Sequence, residues 1–183
     1  MKDVRFKDNE TNVEFLLRTS AIIYDSSKTK ILLFHPLKRK VYMLPGGKVE
    51  QLEQTKDAIE REIYEELGWK LEFEFVGISE EFFLDMNEKT QIINVIYKSI
   101  YNEEISENTF YGKEGNWATF NWIGLNELDN IPVHPKEIKE IALEKINHVV
   151  NEVKWLILLK NTMQITIDKV GWLLVLGMQR PTV

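Results

Sequence analysis

Three glutamates, Glu62, Glu65 and Glu66, stand at i, i+3 and i+4 in the segment Arg61–Trp69, REIYEELGW. A helix turning about 100° per residue puts their carboxylates on one face. Like charges at that spacing cost an isolated helix roughly 0.2–0.5 kcal/mol per pair. Arg61 is the nearby base, and a divalent cation would turn the remaining repulsion into a binding site. A solvated acidic helix face is the other reading of the cluster taken by itself. The sequence has no cysteine, which removes disulfide frameworks, thiolate zinc sites and cysteine nucleophiles. Three histidines, His35, His134 and His148, argue against a histidine-rich metal site. Any metal is therefore expected on oxygen, which selects a hard cation such as Mg²⁺ or Mn²⁺.

The charge distribution points the same way. The formal charge of the 183 residues is −6. Gly47–Trp69 holds seven acids against three bases, a net of −4. An acidic chain is a poor match to a nucleic-acid polymer, which binds basic faces. The objection does not reach a small phosphate ester, because a bound cation supplies the positive field. Apolar residues at 44% and charged residues at 28% are ordinary for a globular domain.

The elements that must carry the cluster follow from pattern. Phe15–Tyr24, Lys30–Phe34 and Val41–Leu44 read as strands, the last stopping at Pro45-Gly46-Gly47, where a tight loop is expected. Glu53–Leu67 contains neither proline nor glycine. Its Ile59, Ile63 and Leu67 form a second stripe that can face a core, and Gly68 is the expected C-cap. Leu71–Leu84, Gln91–Tyr101 and Trp117–Ile123 read as further strands, and Asn102–Gly115 as a loop. Asn126–Asn130 reads as a short turn or helix. From Pro135 a long helix is expected, with apolar positions Ile138, Ile141, Ala142, Ile146, Val149, Val150 and Val153. This order predicts an α+β fold with a mixed sheet. A domain over residues 1–150 and an apolar extension over 151–183 are expected, the extension being a helix end with a strand or a dimer contact.

The full spacing around the glutamates is GX5EX7REUXEEXGU, with U a bulky apolar residue. It is met at Gly47, Glu53, Arg61, Glu62, Ile63, Glu65, Glu66, Gly68 and Trp69. With its Leu44-Pro45-Gly46-Gly47 lead-in, the chain resembles the Nudix hydrolases from about Val13 to Val150. The resemblance implies an α/β/α sandwich. It also implies a pyrophosphohydrolase that uses Mg²⁺ or Mn²⁺ and water to cleave a nucleoside diphosphate linked to another moiety. By the same resemblance Glu62, Glu65, Glu66 and the Gly47 carbonyl would hold the metal, and Arg61 would orient the glutamates. Glu53 would pair with Arg61 or reach the metal shell, and is a candidate base. In some relatives the base lies in a later loop, where Glu103, Glu104, Glu107 and Glu114 are the candidates and Glu114 is favoured. Many relatives have glycine where this chain has Leu52.

Arg18, Lys48 and Tyr42 are the expected substrate contacts: a mid-strand arginine, a cation directly after the glycines, and a ring that can stack. Phe82, Phe83 and Trp117 could also stack, although most such rings fill cores. Lys38-Arg39-Lys40 is expected as a solvated turn. His35 reads as structural, His134 as a loop residue and His148 as a helix-surface residue. The downstream markers of the ADP-ribose and NADH subfamilies are not met, which favours a nucleoside triphosphate or a related nucleotide. Met1–Glu10 lacks an apolar signal-peptide core and no apolar run reaches membrane-spanning length. A soluble cytoplasmic protein without a membrane partner, with a homodimer possible through the apolar tail, is the expectation. A non-hydrolytic nucleotide-binding module is the alternative, though such relatives usually lose one or more box glutamates and this chain has lost none.

Overall fold

The computed structural model describes residues 2–84, 89–145 and 148–151. One unit spans Met1–Asn151; a second begins at Glu152, and the expectations for the apolar tail lie outside the described residues.

Two long strands, β2 (Val13–Asp25) and β6 (Lys89–Tyr101), run parallel through thirteen paired residues, from Val13 opposite Lys89 to Asp25 opposite Tyr101. β5 (Glu74–Leu84) lies antiparallel on the far side of β6. β3 (Lys30–Pro36) joins β2 near the Asp25 turn and carries β8 (Ala118–Gly124) antiparallel along its length. The short strands β1 (Arg5–Asp8), β4 (Tyr42–Met43), β7 (Thr109–Tyr111) and β9 (Val133–His134) extend the edges. The sheet is mixed, as expected.

Period-two alternation sends side chains to two different cores. Ala21, Ile23, Leu32 and Phe34 pack with Ile59, Ile63 and Leu67 of helix α1 (Thr55–Leu67). Their neighbours Ile22, Tyr24, Ile31 and Leu33 pack with Ile138, Ile141 and Ala142 of the short helix α2 (Ile138–Ala142). Burial on both faces explains why β2 and β3 read as nearly continuous apolar runs. One helix on each face makes the α/β/α sandwich.

The long helix expected after Pro135 does not form. α2 is five residues long, Glu144 takes a φ of +55°, and His148–Asn151 becomes β10, parallel to Ile78–Glu81 of β5. Lys98 of β6 holds the Glu144 carboxylate at 2.6 Å, fixing the turn where the helix would have continued. By sequence Val149 and Val150 suit a strand as well as a helix, and β-branching favours the strand. His148 is thus a strand residue and not a helix-surface one. Within the expected loop Asn102–Gly115, Thr109–Tyr111 pairs with Thr119–Asn121 as β7. β1 was not anticipated either, because its RFKD sequence is fully exposed.

Candidate active site

The glycine loop runs along β2 as a partial strand. The N–H groups of Ala21 and Thr19 donate to the carbonyls of Pro45 and Gly47 at 3.0 and 2.9 Å, and that of Val49 donates to Leu17 at 3.1 Å. Two positions require glycine. Gly46 has a φ of +129°, and a Cβ there would overlap the Thr19 carbonyl. A Cβ on Gly47 would overlap the Glu62 carboxylate, so that carboxylate lies against the loop backbone.

α1 presents the glutamates to this loop. It ends at Gly68, whose left-handed φ of 78° lets its N–H return to the Tyr64 carbonyl. Glu66 is buried, Glu62 is mostly covered and Glu65 is half exposed. The shared face is therefore graded in depth.

Arg61 organises the cluster. Its Nε and Nη2 donate to the two oxygens of Glu53 at 2.8 and 2.9 Å, a fork-on-fork pair. Nη1 donates to Glu62 at 2.8 Å and Glu65 at 3.1 Å, and Nη2 also reaches the Lys48 carbonyl at 3.1 Å. The hydrogen bonds from Arg61 hold the Glu53 carboxyl below its usual value, and the Glu53 partnership raises Arg61. Glu53 also accepts the Glu50 N–H at 2.8 Å. The expected pairing of Glu53 with Arg61 is present.

Burial pushes the Glu62 carboxyl upward and that of Glu66 to about 8. The Glu66 carboxylate receives the Gly46 N–H, yet its Oε2 is buried without a hydrogen-bond partner. An orphaned carboxylate oxygen in a dry site is costly. The Gly47 carbonyl, the expected backbone ligand, is turned to β2 and accepts the Thr19 N–H, whereas Glu66 and the neighbouring Glu62 are hard oxygen donors. This set fits Mg²⁺ or Mn²⁺. Among the described residues no three acidic or histidine side chains already form a finished cage. Glu62 and Glu65 are both held by Arg61 Nη1 in this arrangement.

Glu114 is exposed and adds its charge to the field at Glu66, and the two share the border of a small hollow with Gly112 and Trp117. Its loop is anchored by the Lys113 N–H on the Glu66 carbonyl at 2.8 Å. Glu103 accepts from Tyr101, whereas Glu104 and Glu107 line an adjoining hollow with Trp69 and Trp122, which Glu66 and Gly112 also border.

The expected substrate contacts are spread out. Lys48 pairs with Asp3 at 2.8 Å, and Tyr42 stacks on His35 with ring centroids 4.3 Å apart. Tyr42 packs against the α2-side core, the face of the sheet away from α1. The half-buried Arg18 donates from Nη2 to the Gly46 carbonyl at 2.5 Å. Trp117 meets Phe34 edge-on, and Phe83 lies beside His134.

Sequence reasoning missed a buried polar network beside Arg18. Ser20 donates to Asn94 at 3.0 Å, Ser79 donates to Glu81 at 2.8 Å, and Glu81 meets His134 Nε2 at 2.9 Å. His134 is therefore a strand residue with a buried carboxylate partner, not a loop residue. Glu80 and Glu81 are adjacent acids on one strand, and only the pairing with β6 shows which of them turns inward.

The sequence profile of the NUDIX domain matches residues 15–144. Solved structures share the fold. A MutT protein from Bacillus halodurans is 22% identical, with 73% of this chain and 85% of that one covered and a TM-score of 0.55. A MutT NUDIX hydrolase from Burkholderia pseudomallei is 24% identical over 72% and 98% of the two chains, with a TM-score of 0.54. The NUDIX domain of Shewanella oneidensis NrtR, solved with ADP ribose, is 16% identical over 75% and 92%, with a TM-score of 0.55. No curated protein matches the sequence.

Proposed function

This chain belongs to the NUDIX family, generally pyrophosphohydrolases, and from that premise we propose a Mg²⁺- or Mn²⁺-dependent pyrophosphohydrolase. Its substrate is a nucleoside diphosphate linked to another moiety, with a nucleoside triphosphate or a related nucleotide the favoured form. The carrying observation is the buried Glu66 Oε2, which lacks a hydrogen-bond partner and has the Glu62 charge next to it.

Glu62, Glu65 and Glu66 would hold the cation, which when bound neutralises the carboxylates, polarises phosphoryl oxygens and lowers the pKa of water. Arg61 keeps Glu62 and Glu65 oriented while Glu53 anchors Arg61. Glu114 is the proposed general base, accepting the proton of the attacking water at its carboxylate. Lys48 is proposed as a phosphate contact. Its pair with Asp3 is solvent-exposed and worth at most about 1 kcal/mol, so the amine can be released. Tyr42 is the proposed stacking ring. No helix among the described residues is long and apolar enough to cross a membrane, which accords with the proposed cytoplasmic location.

The test is a nucleotide panel read by phosphate release with Mg²⁺ or Mn²⁺, run on the wild type and on Glu66→Gln. Metal-dependent turnover that the substitution abolishes, with the fold intact, supports the proposal. Turnover that survives in Glu66→Gln would sink the metal assignment. Metal binding without turnover on any panel member would mark a nucleotide-binding module instead.

A further inference from the structure

Helix α1 leaves the carbonyls of its last turn without intrahelical partners. That of Tyr64 accepts the Gly68 N–H, and that of Glu66 accepts the Lys113 N–H, both at 2.8 Å. The second donor comes from the tip between β7 and β8, far away in the chain. Pairing of Tyr111 with Thr119 closes the base of that tip. The Leu37 N–H on the Trp117 carbonyl, at 3.0 Å, holds its returning arm. Glu114 stands on the tip, directly after the donor.

Two side-chain features make this contact close. Gly112 takes no left-handed φ, so the backbone angle does not call for glycine there. Space does. An added Cβ would lie 2.6 Å from the Phe120 ring and 2.8 Å from the Glu66 carbonyl oxygen. The bare Cα of Gly112 therefore lets the tip lie against the helix end. Lys113 lays its ammonium on Gly68, where a Cβ would overlap Nζ, and holds it 5.5 Å from the Tyr64 ring centroid. The C-terminal end of a helix carries negative partial charge and favours a cation there. The tip is thus clipped to α1 twice, by a main-chain hydrogen bond and by a side-chain charge. The hydrogen bond falls on Glu66, the residue whose carboxylate feels the Glu114 charge.

We propose that Gly112 and Lys113 are positioning residues: by clipping the tip to the Glu66 carbonyl they set the Glu114 carboxylate beside the Glu66 end of the acidic cluster. This rests on the hydrolase reading above, with Glu114 as its base. Neither residue touches the substrate, so both act through Glu114. That gives the test its logic. Breaking the clip lowers the rate while Glu114 is present and costs nothing more once Glu114 is gone. A clip that only stabilised the helix end would lower the melting temperature in both backgrounds and leave the rate of the folded enzyme alone.

The experiment places Gly112→Ala and Lys113→Met in the full-length wild type and in Glu114→Gln. The readouts are kcat and KM on a nucleotide the wild type turns over, and hydrogen exchange of the Lys113 amide by NMR in metal-free protein. Gly112→Ala is expected to speed Lys113 exchange by about tenfold or more. It should lower kcat by roughly 10–100-fold, the cost of a misplaced catalytic group, with KM within a few-fold. In the Glu114→Gln background it should cost no further activity, because residues that act as a unit are not additive. Lys113→Met keeps the main-chain hydrogen bond and should lose a few-fold in kcat, which Lys113→Arg recovers by restoring the charge at the helix end. Unchanged Lys113 exchange in Gly112→Ala overturns the proposal, and so does fast exchange with a full rate. An equal loss of kcat in the Glu114→Gln background also overturns it, since the clip would then act on another group. A rise in KM alone would make Lys113 a substrate contact and overturn it as well. Should Gly112→Ala fail to fold, Lys113→Met in the two backgrounds decides by the same comparison. A wild type that turns over no nucleotide overturns the hydrolase reading and this role with it, whereas an active wild type with a full-rate Gly112→Ala variant overturns this role alone.

Discussion

Arg61 grips Glu53 through both carboxylate oxygens, at 2.8 and 2.9 Å, across eight residues of sequence. One turn of helix and the end of the glycine loop are thereby locked together before any ligand arrives. The third guanidinium nitrogen then steadies Glu62 and Glu65. The orientation of the acidic face thus depends on a single planar cation.

Removing that cation should be expensive. Arg61→Ala would leave the mostly covered carboxylates of Glu53 and Glu62 without their partner. A loss of about 2–3 kcal/mol in unfolding free energy is expected, measured by urea titration. Arg61→Lys should recover little of it, since a point charge cannot make the fork. If Arg61→Lys proved as stable as wild type, the fork would not be the source of the order.

The two glycines should fail differently. In Gly46→Ala the new methyl meets the backbone of Thr19 and Ser20, and φ is left-handed. A loss of roughly 2–4 kcal/mol in stability is expected. In Gly47→Ala the methyl meets the Glu62 side chain, which can swing away. That variant should fold with a nearly unchanged melting temperature and lose Mn²⁺ affinity. Equal melting temperatures for the two variants would contradict this division.

Glu114→Gln should lower kcat by about 100-fold or more while KM stays within a few-fold, as expected for a lost general base. Glu104→Gln and Glu107→Gln, which alter the neighbouring hollow, should leave kcat near wild type. A full-rate Glu114→Gln enzyme would move the base elsewhere.

Glu81 sets an acid limit. Burial opposes its charge, but the hydrogen bond from His134, with those of Ser79 and Asn94, outweighs burial and holds the carboxyl below its ordinary value. A carboxyl whose folded pKa is depressed stabilises the fold above its unfolded pKa of about 4.3. That contribution is lost as pH falls through the lower, folded pKa. Glu81→Gln should therefore be less stable than wild type at pH 7, and the gap should close on acidification below about pH 4. Melting temperatures from pH 3 to 7 would show it; a constant gap would mean that Glu81 contributes by packing and not by charge.

The glutamate cluster was legible because its spacing is local. Glu62, Glu65 and Glu66 share a helix face whatever the helix packs against, and Ile59, Ile63 and Leu67 reach the core by the same periodicity. The strands β2, β3 and β6 were legible from apolar and β-branched runs. The stretch after Ala142 was not. Val149 and Val150 suit either a helix or a strand, and the choice lies with β5, about seventy residues away, which offers a free edge.

By itself the sequence determined the box and the helix that carries it, because helical geometry depends on neighbours three and four residues apart. It also determined the hard-oxygen character of any metal site, because the chain holds no thiol. The tertiary structure alone decided which of the three glutamates is dry, and that Arg18 reaches the Gly46 carbonyl and not open solvent. It alone decided that His134 meets a buried Glu81. Burial and partnership are relations between segments far apart in the chain, and no local spacing encodes them.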